Sequence, residues 1–153
     1  MVESKKNYWL KRTLIAVFIL LVIAAGIYLY VSTEKFTDTT KRTAAYSVSA
    51  IDFIKEFEQN DSTANKKYAD KIVTVNGTVS EVEAADTTVN IKFIDTTTGS
   101  YAIFAFQKQH LAEAKLVKAG DSVSIKGSCS GGVYSDILKT EFISFKRCAL
   151  NKQ

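Results

Sequence analysis

The most prominent feature in the pattern of apolar and polar positions is one dense apolar block near the N-terminus. Residues 13–31, TLIAVFILLVIAAGIYLYV, are 19 consecutive positions without a charge. At ~1.5 Å per residue a helix of this length spans about 28 Å, close to the ~30 Å hydrocarbon core of a bilayer. The block therefore predicts a transmembrane helix.

A cleaved signal peptide is the alternative interpretation of this block. Such a peptide has an apolar core of ~7 to 15 residues that ends in a small-x-small cleavage site, and residues 24–26, Ala-Ala-Gly, supply one. The apolar residues 27–31 follow that site directly. This continuation favours an uncleaved anchor.

Charges on the two sides of the block predict its orientation. Four basic residues crowd the N-terminal side: Lys5, Lys6, Lys11 and Arg12. Because positive flanks stay in the cytoplasm, residues 1–12 should be cytoplasmic and the chain beyond residue 31 extracytoplasmic. We therefore predict a single-pass protein of the cell membrane.

The region after the block divides into a linker and a folded domain. Residues 32–43, STEKFTDTTKRT, are polar and without periodicity, which predicts a linker. The domain should then occupy residues 44–153. It opens with a predicted amphipathic helix over residues 44–60, whose apolar stripe consists of Val48, Ile51, Ile54 and Phe57, widened by Ala50 and Phe53. A second short helix, capped by Asp61 or Ser62, should carry Ala64, Lys67 and Tyr68.

From Ile72 the apolar spacing changes to a period of two, which predicts strands. The first strand, IVTVNGTVSEV, contains Gly77, and a glycine inside a strand often marks a bend. TVNIKFID and YAIFAF predict two further strands. A short helical stretch, HLAEAKLVKAG, comes next, and the strands DSVSIKGSC and DILKTEFISFKRC follow it.

The predicted element order is helix, three strands, short helix, two strands. This is the order of an OB-fold, a five-stranded Greek-key barrel with a helix between its third and fourth strands. We therefore predict a mainly β protein in which one transmembrane helix precedes an OB-fold barrel with its own N-terminal helix.

Two runs of residues in this domain resemble a known family. The first, residues 57–79, reads Phe-x-x-Asn-x-x-x-Ala-x-x-Lys-Tyr-x-x-Lys-x-Val-x-Val-x-Gly-x-Val, and the second, residues 120–131, reads Gly-Asp-x-Val-x-Ile-x-Gly-x-Cys-x-Gly. Together they resemble the tRNA_anti-like family of bacterial OB-fold proteins, over most of residues 46–143. The resemblance implies an OB-fold domain that is often exported and membrane-attached, with no established general activity. The family name reflects likeness to anticodon-binding OB domains.

The two cysteines, Cys129 and Cys148, are predicted to stay apart. Family members often carry a second cysteine in the last strand, where this chain has Phe142. A turn at residues 131–135 would offset the two thiols by about eleven residues, roughly 36 Å, whereas a disulfide needs Cα atoms within about 7 Å. We therefore expect Cys129 to fill space in the core and Cys148 to be a free or partner-facing thiol.

The distribution of charge bears on the choice of partner. The formal net charge of +4 belongs to residues 1–43, because residues 44–153 hold 13 basic and 13 acidic side chains. Nucleic-acid-binding domains usually show a basic stripe. A neutral domain therefore favours a protein or cell-envelope ligand over nucleic acid. The alternative hypothesis is a nucleic-acid-binding OB domain, tRNA anticodon-like or specific for single strands.

Catalytic chemistry has little support in the sequence. GSCSGG around Cys129 has the spacing of a nucleophile turn, but such a turn leads into a helix and strand residues follow here. His110 is the single histidine, and the cysteines and histidine lack metal-ligand spacing. We predict no enzyme activity, no metal and no cofactor.

Ligand-binding residues should lie on the face around strands two and three, where OB-folds usually bind. With Val89 and Phe93 pointing inward, Asn90 and Lys92 point outward, and Tyr101 points outward from the third strand. These three residues are the predicted ligand-binding site. The predicted function is that of a non-enzymatic, membrane-anchored binding module outside the cytoplasm.

Overall fold

The computed structural model describes the backbone of residues 3–32 and 37–152, and the side chains of residues 8–31 and 37–152. The chain divides into two compact units, Met1–Phe36 and Thr37–Gln153. The first contains helix α1, Glu3–Ser32. Within α1, Tyr8–Val31 is the one stretch of the described residues that is long and apolar enough to cross a membrane. An N-terminal apolar helix of this kind is consistent with a membrane anchor or a signal sequence.

The second unit begins inside the region predicted as a linker. Residues 33–36 of that region lie outside the described residues. Thr39–Lys41 form a 3₁₀ turn, and Thr39 is buried. Residues 37–43 therefore belong to the folded unit, which we call the OB-like domain.

The helix predicted over residues 44–60 is shorter in the structure. Tyr46–Ser49 form strand β1, and α2 spans Ala50–Gln59. The Ser49 hydroxyl accepts a hydrogen bond from the Asp52 amide at 3.2 Å, which caps the start of α2. The buried face of α2 consists of Ala50, Phe53, Ile54 and Phe57.

The predicted apolar stripe of this helix was wrong in two places. Val48 belongs to β1, which pairs in parallel with the next strand of the chain. Ile51 is 42% exposed. At 3.6 residues per turn a strict spacing of three drifts off one face, and the buried positions instead follow the i, i+3, i+4, i+7 pattern. The second predicted helix is confirmed as α3, Asp61–Tyr68, with Ala64 and Tyr68 buried, but its cap is Asn60, whose Oδ1 accepts from the Thr63 amide at 2.9 Å, and not Asp61 or Ser62.

Six more strands and one short helix complete the domain. They are β2 Ile72–Thr78, β3 Glu81–Ala84, β4 Val89–Ile94, β5 Tyr101–Phe106, α4 Leu111–Ala114, β6 Ser122–Ser135 and β7 Thr140–Leu150. All seven strands form one mixed sheet in the order β1-β2-β6-β7-β5-β4-β3. The β1–β2 and β5–β7 pairs are parallel and the others antiparallel.

This sheet corrects the predicted fold in two respects. The architecture is OB-fold-like, but β1 is an additional strand and the predicted first strand is divided into β2 and β3. Helices and strands each make up 37% of the structure, so the mainly β class was wrong in its balance. Local periodicity predicts where strands lie, but the pairing that adds β1 to the sheet is a long-range contact.

The chain crosses from one side of the strand order to the other between β2 and β3. Only Val79 and Ser80 separate these strands. The Val79 amide donates to the Asp121 carbonyl beside β6, and the Ser80 amide donates to the Lys92 carbonyl in β4, both at 2.9 Å. Gly77 precedes this crossing at a close approach, because a Cβ atom there would lie 2.7 Å from the Ala50 Cβ.

The core lies between the inner face of the sheet and helices α2 and α3. Aromatic rings dominate it: Phe53, Phe57, Tyr68, Phe93, Phe104 and Phe145. The ring centroids of Phe53 and Tyr68 are 4.9 Å apart, and those of Phe104 and Phe145 are 4.5 Å apart. The first contact joins α2 to α3 and the second joins β5 to β7, while Phe53 also meets Phe145, at a centroid distance of 5.5 Å, and so attaches α2 to the sheet.

Both cysteines are free thiols inside this core. The predicted offset between them was wrong, because Cys129 pairs with Phe145, only three residues before Cys148. Two register shifts in the β6–β7 pair, and a turn after Ser135, place the strands differently from a simple hairpin. Cys148 is 0% exposed and is therefore not partner-facing.

Candidate ligand-binding face

An apolar row crosses the outer face of the sheet over four neighbouring strands. Val133 of β6 pairs with Phe142 of β7, Phe142 pairs with Tyr101 of β5, and Tyr101 pairs with Ile94 of β4. The Tyr101 and Phe142 rings meet edge to face, with centroids 5.3 Å apart. We call Ile94, Tyr101, Val133 and Phe142 the outer row.

Strand alternation explains why these four side chains face outward. On β5, Ala102 and Phe104 are buried in the core, and on β7, Ile143 and Phe145 are buried. Because successive side chains point to opposite faces, their neighbours Tyr101 and Phe142 must lie on the outside.

Of the three predicted ligand residues, Tyr101 belongs to this row, Lys92 lies beside it, and Asn90 lies four residues from Ile94 along β4. Lys92 and Asn90 are on the outer face of β4, and the Lys92 ammonium lies 5.7 Å from the centre of the Tyr101 ring. The same ammonium is 3.2 Å from Glu81 Oε2 and makes a close ion pair with Glu83 Oε1. Lys92 is thus held between two carboxylates of the edge strand β3.

The ion pairs of Lys92 with Glu81 and Glu83 determine the charge of this part of the face. The hydrogen bond with Glu83 raises the pKa of Lys92, and the same bond lowers the pKa of Glu83. The Glu83 carboxylate and the Lys92 ammonium are therefore both charged at neutral pH. The positive charge of Lys92 is compensated before any ligand arrives.

The β6–β7 hairpin extends the apolar surface beyond the outer row. Ile137 is 92% exposed and Leu138 is 67% exposed at its turn. Seven large hydrophobic side chains are exposed within residues 37–152, and five of them lie between Val133 and Phe142. We call these five the hairpin patch: Val133 and Phe142 on the outer face, Ile137 and Leu138 at the turn, and Tyr134, which pairs with the buried Glu141 and so lies on the other face of the hairpin.

Hydrogen bonds at the turn hold the patch in this position. The Lys139 amide donates to the Ser135 carbonyl at 2.7 Å, and the Leu138 amide donates to the Ser135 hydroxyl at 3.2 Å. Ile137 and Leu138 therefore project from an ordered turn. The sequence prediction missed Ile94, Val133 and Phe142, although the alternation of Ile143 and Phe145 was a signal that Phe142 faces outward.

The GSCSGG segment, residues 127–132, whose spacing resembles that of a nucleophile turn, has a structural role. Gly132 exchanges two hydrogen bonds with the Asn65 side chain of α3: its amide donates to Oδ1 at 2.8 Å, and its carbonyl accepts from Nδ2 at 2.9 Å. Burial raises the pKa of Cys129 to about 11, so this thiol is protonated at neutral pH. The segment docks α3 onto the sheet.

His110 is engaged by a carboxylate elsewhere in the domain. Its Nε2 lies 2.9 Å from Asp38 Oδ1, at a partly buried position. This bond lowers the pKa of Asp38 far below its usual range. Among the residues that the structure describes, no three His, Cys, Asp or Glu side chains form a group able to hold a metal ion.

Fold and face together define an OB-fold-like domain with an exposed apolar surface, preceded along the chain by an apolar helix. The chain belongs to the tRNA_anti-like family, which it matches over residues 3–140. None of the curated proteins compared with the chain matches it.

Two solved structures are similar to the chain at low sequence identity. One, described as a "putative nucleic acid-binding lipoprotein" from Klebsiella pneumoniae, has a TM-score of 0.54 and 18% identity over 69% of this chain and 91% of its own. The other, described as a "putative aspartyl-tRNA synthetase" from Leishmania major, has a TM-score of 0.44 and 13% identity, and the match covers 85% of this chain and 26% of that one. The first shows the shared fold, and the second is too distant to support an argument.

Proposed function

We propose that this protein is a non-enzymatic, membrane-anchored binding module that binds a protein partner through the outer row and the hairpin patch. The observation that carries the proposal is the concentration of exposed large hydrophobic side chains within one hairpin, five of seven in residues 37–152. Such a concentration of exposed apolar side chains on a folded domain supports an interaction site.

The chemistry of this surface fits a protein partner. Aromatic side chains are enriched at the centres of protein interfaces and charged ones are depleted there. Tyr101 and Phe142 are in ring contact at the middle of the outer row. The one ammonium beside them, on Lys92, is already paired with Glu81 and Glu83.

The N-terminal helix supports a position for the module outside the cytoplasm. Basic residues precede the apolar stretch of α1, which supports a cytoplasmic N-terminus and an extracytoplasmic OB-like domain. The similar Klebsiella protein is described as a lipoprotein, which agrees with an envelope location. The thiol of Cys129 is buried and protonated, and His110 is bonded to Asp38. Both observations support a role without catalysis.

Single-stranded nucleic acid is a second candidate ligand. The comparisons support it more directly than they support a protein, since the Klebsiella protein is described as nucleic acid-binding. Tyr101 and Phe142 offer two aromatic rings, and OB-folds that bind single strands stack bases on aromatic rings. The compensated charge of Lys92 and the neutral total of residues 44–153 oppose it, because phosphate backbones require unpaired cations.

Site-specific photo-crosslinking in native membranes tests the proposal. A benzoylphenylalanine placed at position 133 should crosslink to one defined protein, and the crosslink should disappear when Phe142→Asp is added. The same probe at Leu116, an equally apolar residue that is 78% exposed outside the hairpin patch, is the matched control.

A titration with labelled oligonucleotides separates the two ligand classes. The full chain in lipid nanodiscs is titrated with single-stranded DNA and RNA at low salt, and we expect no saturable binding. Tight binding that weakens with salt and is lost in Phe142→Ala would replace the protein partner with nucleic acid.

A further inference from the structure

A short segment at the start of the OB-like domain, before β1, is fastened to the rest of the domain by hydrogen bonds of its side chains and backbone. This segment, Thr37–Arg42, is called the strap. The Asp38 carboxylate accepts hydrogen bonds from the Thr40 amide at 3.0 Å and the Thr40 hydroxyl at 2.8 Å, which caps the 3₁₀ turn. The same Oδ1 atom lies 2.9 Å from His110 Nε2, 72 residues away.

Two further contacts hold the strap independently of Asp38. Thr39 is 2% exposed, and its amide donates to Gln107 Oε1 at 3.3 Å. The Lys126 ammonium of β6 donates to the Arg42 carbonyl at 3.2 Å and reaches the Thr40 carbonyl at 3.5 Å. The strap is therefore bound along its length by groups from two different parts of the domain.

The strap carries a basic pair whose side chains and backbone differ in accessibility. The Lys41 and Arg42 side chains are exposed. Their amides are bonded within the turn, Lys41 to the Asp38 carbonyl and Arg42 to the Thr39 carbonyl, each at 3.1 Å. A protease that recognises basic residues can therefore see the side chains, but it needs an opened backbone to cut.

We propose that the strap is a proteolytic processing site, closed by the Asp38–His110 pair, at which a protease specific for basic residues separates the OB-like domain from α1. The step is hydrolysis of the Arg42–Thr43 peptide bond. It consumes one water molecule and leaves a carboxylate on Arg42 and an amine on Thr43. The protease is the catalyst, and the strap contacts decide when the bond is available.

An arginine-specific endoprotease makes the test simple, because the chain has three arginines, at positions 12, 42 and 147. The full chain in nanodiscs is digested briefly, and the fragment that begins at Thr43 is quantified by mass spectrometry. Cutting after Arg147, which lies in β7, reports opening of the whole domain in the same sample.

We expect Asp38→Ala and His110→Ala to increase the rate of cutting after Arg42 about fivefold or more, because each removes a bond to a charged group that closes a short segment. Lys126→Gln should also increase the rate of cutting after Arg42, because it weakens the bonds from β6 to the Arg42 and Thr40 carbonyls. Glu113→Gln, which breaks the nearby Glu113–Lys152 ion pair, is the matched control and should leave the rate unchanged.

Two results would overturn the proposal. In the first, the wild-type chain is cut after Arg42 as fast as the Asp38→Ala and Lys126→Gln variants, which would mean that the strap contacts shield nothing. In the second, cutting after Arg42 and Arg147 rises in parallel in all three variants, which would mean that these contacts stabilise the whole domain rather than close the strap.

Discussion

Asn65 and Gly132 exchange two hydrogen bonds, at 2.8 and 2.9 Å, across the contact between α3 and β6. The bonds use both polar groups of the amide side chain and both backbone groups of the glycine. The Asn65 side chain therefore pairs with both the amide and the carbonyl of Gly132, on the side of β6 that faces α3.

Removing this amide should destabilise the domain. We expect Asn65→Ala to lower the free energy of unfolding by about 1–3 kcal/mol, because it leaves two part-buried backbone groups without partners. Chemical denaturation followed by circular dichroism measures the change. Asn151→Ala is the control, since its side chain makes one longer bond to Ser124, at 3.3 Å, and should cost less.

Gly131 offers a second test of the same contact. It has a φ of +102°, and a Cβ atom there would lie 2.5 Å from Asn65 Oδ1. Gly131→Ala should therefore cost more than Gly120→Ala, at which φ is +93° but no atom lies within 4 Å. The control carries only the backbone strain of about 1–3 kcal/mol, so equal losses of stability at both sites would contradict the predicted clash.

Glu141 should make stability depend on pH. It is 3% exposed, and its Oε2 has no hydrogen-bond partner among the described residues. Burial, with smaller contributions from Asp61 and Glu58, raises its pKa above the ordinary 4.5. The protonated form is therefore favoured in the folded state, and its stabilising contribution is lost as the pH rises through the raised pKa.

Glu141→Gln removes this titration. We expect the variant to have a higher thermal midpoint than the wild type at pH 8, with a difference that shrinks as the pH falls through the raised pKa of Glu141 toward the ordinary 4.5. Differential scanning calorimetry at both pH values measures it. Glu113→Gln, at an exposed ion pair, should show no such pH-dependent gain, and a Glu141→Gln variant less stable at pH 8 would show that the carboxylate is paired.

Both cysteines should be unreactive until the domain opens. With a pKa raised to about 11, only about one Cys129 thiol in a thousand is ionised at pH 8, and full burial raises the pKa of Cys148 as well. Maleimide labelling at pH 8 should therefore follow unfolding. Leu116→Cys adds an exposed thiol as a positive control, and rapid labelling of the folded wild type would contradict the burial of both native thiols.

The outer row should contribute little to stability. Phe142 lies on the surface and contacts Tyr101, so Phe142→Ala should cost less than about 1 kcal/mol. Phe145 is 2% exposed between Phe53 and Phe104, so Phe145→Ala should cost about 3–5 kcal/mol. Denaturant midpoints compare the two variants, and similar losses would assign Phe142 to the core instead of the binding face.

Much of the local structure was determined by the sequence alone. The apolar block specifies α1, the period of two specifies β4 and β5, and Asn60 caps α3 where a second helix was predicted. The same alternation is what placed Asn90, Lys92 and Tyr101 outward. Each of these features depends on residues that are neighbours in the chain.

Tertiary structure alone decided which distant residues meet. Phe142 lies beside Tyr101 because β5 and β7 pair in parallel, and Cys148 enters the core because bulges shift the register of β6 and β7. Asp38 reaches His110 across 72 residues. Strand order, register and such side-chain pairs result from the packing of the whole core, so the periodicity of any one segment cannot specify them.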